Sequence, residues 1–214
     1  MARLLLVHGL GGTGATMGPL AAALAACGHE VLTPTLPGHG TEPAALLTTG
    51  WTEWLAAVGE TDYDIAVGQS MGGNLALALA AGGRCRAVVA INPPPPDPDA
   101  VDGLEWQQSR GIDWVEGPPL ADGEEGYTSL PVAALLEMVN GTLATDLAAV
   151  IQPVLLVTSA LDDVVDPFSA DYLASLLPGP VERLTLPASG HVATLGPELE
   201  ALAAAIAEFV TAHG

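Results

Sequence analysis

A serine between two glycines has the clearest chemical potential in this sequence. Residues 68–72 read Gly-Gln-Ser-Met-Gly and stand directly after an apolar run and before an Ala/Leu-rich segment. In a strand-to-helix connection this pattern predicts a sharp, strained turn that lifts the Ser70 hydroxyl above a sheet, with glycines where side chains would not fit. The helix N-terminus that follows favours developing negative charge. The alternative is an ordinary turn in which Ser70 only caps the helix.

An acid and a histidine follow later in the chain, in the order needed to activate a serine. A serine hydroxyl is a weak nucleophile at neutral pH and needs a base, which in turn needs an acid to orient it. Asp162 and Asp163 follow one predicted strand and His191 follows the next. Loops at the carboxyl edge of a parallel sheet converge, so these residues and Ser70 are candidates for one site. The alternative for His191 is a solvated loop histidine.

The turn at residues 8–12, His-Gly-Leu-Gly-Gly, is rich in glycine and follows the first apolar run. Such a turn can aim a backbone N–H at the oxyanion of a tetrahedral intermediate, with a second donor from the residue after the nucleophile. The candidate donors are the amides of Leu10 and Met71. A Gly-x-Gly-x-x-Gly spacing beginning at Gly9 also fits a dinucleotide-binding turn, but that alternative leaves Ser70 and the late histidine unexplained.

The elements that must position these residues alternate between apolar runs and Ala/Leu-rich segments. The apolar runs lack polar alternation, which is typical of strands covered by helices on both faces. The sequence therefore predicts an α/β fold with a mostly parallel sheet of about six strands. The predicted strands are 3–8, 30–35, 63–68, 87–92, 153–159 and 182–187. The predicted helices are 15–26, 52–59, 71–81, 142–151, 169–177 and 192–212.

Residues 93–141 interrupt this alternation and are predicted to be a small cap inserted into a single domain that spans residues 1–214. The segment opens with four consecutive prolines and is rich in acidic residues, among them Asp122. A long segment of this kind inside a compact domain is usually functional or disordered. Four of its side chains are candidates for the wall of an acyl-binding pocket: Trp106, Trp114, Tyr127 and Met138.

The charge balance excludes whole classes of partner. The 214 residues include 25 Asp and Glu against five Arg and no Lys, for a formal net charge of −20. Nucleic-acid binding needs clustered cations, so we expect no nucleic-acid partner. The same field disfavours anionic lipid surfaces and polyphosphorylated substrates. The spacing of Cys and His residues does not suggest a metal site.

No apolar stretch reaches the length of a membrane span, so we expect no integral membrane association. The first apolar run reaches His8 too soon for the apolar region of a signal peptide. A cytoplasmic location is therefore expected.

Five motifs together make the chain resemble the α/β-hydrolases of the small carboxylesterase and monoacylglycerol lipase type. The resemblance spans nearly the whole length and rests on residues 8–12, 36–40, 68–72, 161–167 and 189–192. It implies Ser70 as nucleophile, His191 as base and an aspartate as orienting acid. The position of the acid relative to the following Val residues favours Asp162, whereas counting back from the closing proline favours Asp163.

The resemblance also implies a serine carboxylesterase that cleaves a small-molecule ester and needs no cofactor. Uncharged esters of short or medium acyl chains, or monoacylglycerols, are the expected substrates. A thioesterase, an acyltransferase or a C–C hydrolase would share this fold and these residues. A ligand receptor that keeps the residues without turnover is an alternative of another class. The oligomeric state does not follow from the sequence.

Overall fold

The computed structural model describes residues 1–117, 119–120 and 123–214. Asp122, one of the acidic residues of the predicted cap, lies outside the described residues. The strands are, in chain order, β1 (Arg3–Val7), β2 (Glu30–Leu32), β3 (Tyr63–Gln69), β4 (Cys85–Ile91), β5 (Trp114–Glu116), β6 (Ser129–Pro131), β7 (Val154–Ser159) and β8 (Val181–Leu186).

Helices separate most of these strands. They are α1 (Gly18–Ala26), α2 (Trp51–Val58), α3 (Met71–Ala81), α4 (Pro98–Ser109), α5 (Val132–Ala144), α6 (Ser169–Leu176) and α7 (Leu199–His213). Short 3-10 turns lie at Gly14–Met17, Pro43–Thr48, Leu147–Ala149 and Ala193–Leu195.

The main sheet has six parallel strands in the order β2-β1-β3-β4-β7-β8, which confirms the predicted fold class. From β1 the chain adds β2 on one side and then crosses to add β3 on the other. The order of strands therefore reverses between β1 and β3. Ligand sites of open parallel sheets lie outside the carboxyl ends of the strands at such a reversal. The turns that follow β1 and β3 are those that contain Leu10 and Ser70.

Both faces of the sheet are covered, which explains the apolar composition of its central strands. Leu4 and Leu6 of β1 face a core that is completed by α1 and α7. Leu5 and Val7 face the opposite core, to which α2, α3 and α6 contribute. All four side chains are fully buried. The sheet is therefore a rigid support for the loops at its carboxyl edge.

The segment between β4 and β7 contains α4, α5 and the antiparallel pair β5–β6. The predicted boundary of the cap at residue 141 falls inside α5. Gly141 lies within this helix. In the fold, a Cβ on Gly141 would lie 1.9 Å from Cδ2 of Trp51. This glycine is therefore a point of close approach within a helix.

Two predicted helices differ from the structure. The helix predicted at 142–151 is wrong, because α5 ends at Ala144 and only the turn Leu147–Ala149 follows. Thr145 is extended, with ψ 123°, and its hydroxyl donates to the Gly141 carbonyl, a local bond that competes with helix continuation. The helix predicted from residue 192 begins only at Leu199, because Gly196 adopts an extended conformation after a single 3-10 turn.

Candidate active site

The turn that carries Ser70 joins β3 to α3 and has the strained geometry predicted from its glycines. Ser70 has φ 56° and ψ −123°, a conformation that few non-glycine residues adopt. A Cβ on Gly68 would lie 1.9 Å from the Gly72 carbonyl oxygen, and one on Gly72 would lie 2.2 Å from the Val7 carbonyl oxygen. The Ser70 N–H donates to the Ile91 carbonyl at 2.8 Å. Sterics and this bond therefore fix the serine at the carboxyl edge of the sheet.

Asp162 and His191 are in direct contact. Nδ1 of His191 lies 3.0 Å from Oδ1 and 2.9 Å from Oδ2 of Asp162. The Asp162 side chain is 1% exposed and the His191 side chain 14% exposed. Oδ1 of Asp162 also accepts from the amides of Val164 and Val165, each at 2.9 Å. Asp163, by contrast, is exposed to solvent, so the histidine contact selects Asp162 of the two neighbouring acids.

The environment of Asp162 keeps its carboxyl group ionised at neutral pH. Burial opposes ionisation, but the hydrogen bond and charge attraction from His191 and the two backbone amides outweigh it, so the pKa of Asp162 lies below its ordinary value. A carboxylate can only accept, so the hydrogen that it shares with His191 lies on Nδ1. Nε2 of a neutral His191 is then left with its lone pair available as a proton acceptor.

The loop after β1 passes directly against Ser70. A Cβ on Gly9 would lie 3.1 Å from Cβ of Ser70. Leu10, the next residue, lines the same cavity as Ser70. Met71 is the first residue of α3, so its N–H is one of the helix amides that have no acceptor within the helix. The two residues whose amides were named from the sequence thus lie near the serine, Leu10 in the same cavity lining and Met71 next to it in the chain.

His8 holds this loop from within the core. Its Nδ1 lies 2.8 Å from the Gly9 carbonyl, and its Nε2 accepts from the Leu36 N–H at 3.1 Å. These partners require a neutral ring with its hydrogen on Nδ1. Burial lowers the pKa of His8 to about 4, against the opposing hydrogen bond to Gly9 and with a smaller contribution from nearby His39. His8 is therefore a neutral structural residue under ordinary conditions.

A cavity of about 450 Å³ opens above the serine, and both Ser70 and His191 line it. Much of the opposite wall comes from apolar side chains of β6 and α5: Leu130, Leu135 and Met138. The volume lies in the range of small-molecule sites. A depression of similar size, about 480 Å³, lies between residues 46–53 and α5 and contains none of the candidate site residues.

Tyr127 also lines the cavity and joins the inserted segment to the sheet edge. Its hydroxyl donates to the Gly38 carbonyl at 3.1 Å and accepts from the Thr41 N–H at 2.9 Å. Its own N–H donates to the Gly11 carbonyl at 2.9 Å, next to a bridge between Gly12 and Gly126. The inserted segment is thus fastened to the loop that carries Leu10.

Of the four side chains predicted to form a pocket wall, Tyr127 and Met138 line the cavity and the two tryptophans do not. Trp106 of α4 is 62% exposed and has the Arg110 guanidinium 5.8 Å from its ring centre. Trp114 of β5 is 39% exposed. Neither ring is among the described residues that line the cavity, so their place in the pocket wall is corrected. Composition had indicated that this segment contributes to the pocket wall, but it could not show which of its side chains do so.

Sequence reasoning missed two kinds of site residue. Leu135 was not singled out, although its spacing of three from Met138 places both on one face of α5. Asn92 had been interpreted as the end of β4, yet its side chain bonds to the loop of His191. A polar residue at the end of an otherwise apolar strand was the available signal.

Across the described ranges, no group of three or more His, Cys, Asp and Glu residues has the arrangement of a metal site. Nor does any helix in the described part of the chain combine the length and apolar character of a membrane span.

A parallel sheet with a serine on a strained strand-to-helix turn, an Asp–His pair and a covering insertion defines the α/β-hydrolase class. The Alpha/beta hydrolase family matches residues 4–205, and the chain belongs to this family. It is 32% identical to the thermostable monoacylglycerol lipase of Bacillus sp. (strain H-257), over 98% of this chain and 90% of the relative.

Solved structures show the same architecture. The structure from a study of LipS and LipT, two metagenome-derived lipolytic enzymes, superposes with a TM-score of 0.87 at 27% identity and covers 99% of this chain and 94% of that one. The monoacylglycerol lipase of Paleococcus ferrophilus superposes with a TM-score of 0.75 at 19% identity, over 99% of this chain and 95% of that one.

Proposed function

We propose that this carboxylesterase- or lipase-type hydrolase cleaves uncharged esters of short to medium acyl chains, or monoacylglycerols, through an acyl-enzyme on Ser70. One observation carries the proposal: Ser70 and His191 line one cavity, and the far side of the His191 ring is held by the buried Asp162 carboxylate. Monoacylglycerol hydrolysis is the activity named for a relative that is 32% identical to this chain.

In the proposed reaction, His191 Nε2 removes the hydroxyl proton as Ser70 Oγ attacks the ester carbonyl. Asp162 stays ionised and stabilises the imidazolium that forms. The Leu10 and Met71 amides donate to the oxyanion, and one such donor typically contributes about 3 kcal/mol to the transition state. His191 then protonates the leaving alcohol, and water repeats the sequence on the acyl-enzyme. No step requires a cofactor.

The cavity wall supports the proposed substrate class. An acyl chain would lie against Leu130, Leu135 and Met138, where burial contributes about 0.8 kcal/mol for each methylene removed from water. Glu124 and Asp163 also line the cavity, whereas no arginine is found among its described lining residues. Carboxylates at this position repel anionic substrates, which favours uncharged esters.

The inserted segment is proposed to act as a cap over this cavity. It contributes residues from β6 and α5 to the wall and is fastened to the sheet edge through Tyr127. Covering the cavity limits access of water to the acyl-enzyme and strengthens the electrostatic interactions inside it.

Hydrolysis of p-nitrophenyl esters of two to twelve carbons tests the proposal. We expect a maximum in kcat/KM at short or medium chain length, and loss of activity by at least about 10⁴-fold in Ser70→Ala. A phosphonate ester should add one covalent group to the wild-type protein, seen by intact mass spectrometry, and none to Ser70→Ala. Ser175→Ala, which replaces an exposed serine of α6, is the matched control and should behave like the wild type.

A wild-type protein that binds these compounds without turnover or labelling would contradict the proposal and indicate a receptor. Turnover that favours thioesters over the matching oxygen esters by more than about 100-fold would contradict the assignment of the leaving group.

A further inference from the structure

We propose that Asn92 is a positioning residue that holds the His191 loop and the Asp162 loop at a fixed separation. The inference rests on the proposed function of those two residues. Asn92 directly follows β4, between the strands that lead to Ser70 and to Asp162. Its side chain is 3% exposed, and it lines none of the cavity that contains Ser70. It would therefore act through other residues and not on substrate.

The backbone of Asn92 is fixed in a conformation that few residue types tolerate. Its φ is 47°, in the left-handed region where Asn is favoured over other non-glycine residues. Its N–H donates to the Val157 carbonyl of β7 at 2.9 Å, while the carbonyl of Ile91 accepts from the Ser70 N–H on the other side. The turn at Asn92 is thus hydrogen-bonded to β7 on one side and to Ser70 on the other. The side-chain amide of Asn92 reaches Ser159 and the loop of His191.

The oxygen and the NH2 group of the Asn92 side chain both form hydrogen bonds within the protein. Oδ1 accepts from the Ser159 N–H at 2.8 Å. Nδ2 donates to Ser159 Oγ at 2.9 Å and to the His191 carbonyl at 2.8 Å, with the Gly190 carbonyl more distant at 3.5 Å. A backbone N–H can only donate and a carbonyl can only accept, so this orientation of the amide is fixed by its partners.

These bonds reach both loops of the Asp–His pair. Ser159 ends β7, and its carbonyl accepts from the Asp162 N–H at 3.2 Å. The His191 carbonyl belongs to the residue whose ring meets Asp162 at 2.9 Å. Gln69 also donates to that carbonyl, at the longer distance of 3.3 Å. One buried side chain therefore sets the distance between acid and base, and a displacement of about 1 Å can cost about 100-fold in rate.

The substitution Asn92→Gly removes the side chain and suits the left-handed backbone. We expect kcat for p-nitrophenyl butyrate to fall between about 10- and 100-fold, with KM within about twofold, because the substrate cavity is unchanged. We also expect the downfield proton resonance of the His191 Nδ1–H, which Asp162→Asn would remove, to shift or broaden. This NMR measurement needs no turnover, so it tests the inference even if the protein cleaves none of the esters.

Asn74→Ala is the matched control. Asn74 is also 3% exposed, and its amide donates to the Pro94 carbonyl and to Thr142 Oγ1, each at 3.0 Å, away from the His191 loop. We expect this variant to lose thermal stability while keeping the wild-type resonance and a kcat within about threefold. If Asn92→Gly does not fold, Asn92→Asp carries the test. It keeps the acceptor for the Ser159 N–H but places a second acceptor against the His191 carbonyl.

The inference is overturned if the folded Asn92 variant lowers the melting temperature yet keeps kcat and the resonance of the wild type. A rise in KM with kcat unchanged would also overturn it, because a positioning role acts on the chemical step. Absence of esterase activity in the wild type, together with a shifted resonance in the variant, would reject the proposed function and retain the role of Asn92.

Discussion

We expect His8 to make the folded state less stable as the pH falls from about 6.5 towards 4. The ring is 0% exposed, and it must be neutral to accept the Leu36 N–H while donating to the Gly9 carbonyl. Protonation would place a second hydrogen against Leu36 and a charge in the core. The pKa of His8 is lowered to about 4, mainly by burial. The unfolded chain therefore binds this proton more tightly than the folded chain.

The sign and size follow from that difference in pKa. The full contribution of His8 is present above about pH 6.5, and it is lost as the pH falls to the folded-state value of about 4. Each pH unit between the two values lowers the free energy of unfolding by about 1.4 kcal/mol. The loss between pH 7 and pH 5 is then about 2 kcal/mol, and by pH 4 it reaches about 3 kcal/mol. That is a large part of the stability of an ordinary domain.

Urea unfolding at pH 7 and pH 5 measures this contribution in the wild type and in His8→Gln. Glutamine stays neutral and keeps an acceptor for the Leu36 N–H. The variant should be less stable at pH 7 but should lose about 2 kcal/mol less than the wild type between the two pH values. Buried His39 responds in the same direction, because burial lowers its pKa too. Since His39 is present in both proteins, the difference between them reports His8 together with its interaction with His39. Equal losses in the two proteins would refute the reasoning.

Two further predictions concern the serine turn and the acid. Gly68→Ala would place Cβ 1.9 Å from the Gly72 carbonyl, so it should abolish ester hydrolysis and lower the melting temperature by at least about 4 °C, whereas Gly18→Ala, with nothing within 4 Å, should change neither. Asp162→Asn should lower kcat by about 10⁴-fold, while exposed Asp163→Asn stays within about threefold. Calorimetry and initial rates measure these effects, and similar effects from either matched pair would contradict the prediction.

The serine turn could be predicted because its glycines form a short pattern that is recognisable without knowing which atoms they contact. Gly68 and Gly72 are required by clashes with atoms a few residues away in the sequence or on the adjoining strand. The central strands could also be predicted, because helices pack on both faces of the sheet and the strands are therefore apolar. Local sterics and patterning therefore determine the fold class and the place of Ser70.

The choice between Asp162 and Asp163 shows where a pattern becomes ambiguous. Counting from opposite ends of the motif gives different answers, and one residue along the loop reverses the direction of the side chain. The amides of Val164 and Val165 bind the Asp162 carboxylate and turn it inwards. Which of the two acids contacts His191 depends on the fold of the loop, and the spacing of residues in the motif did not determine it.

The position of the inserted segment in the chain could be predicted from the sequence, but its internal structure and side-chain contacts could not. Its helix α5 encloses Gly141 because Trp51, about 90 residues earlier, leaves no room for a side chain there. Trp106 and Trp114 are 62% and 39% exposed and are not among the described residues that line the cavity, which the composition of the segment did not indicate. The role proposed for Asn92 likewise depends on contacts with residues 67 and 99 positions away. Contacts between residues this far apart in the sequence produce no periodic pattern from which they could be predicted.

The attachment of Tyr127 restricts how a substrate can reach the serine. Its hydroxyl and its backbone N–H fasten the inserted segment to Gly38 and Gly11, so that corner cannot swing outwards without breaking several hydrogen bonds together. Leu120 and Val164, whose side chains are exposed to solvent, also line the cavity. Under the proposed function, we expect an ester to enter past those two residues, because the Tyr127 corner is tied to the sheet edge.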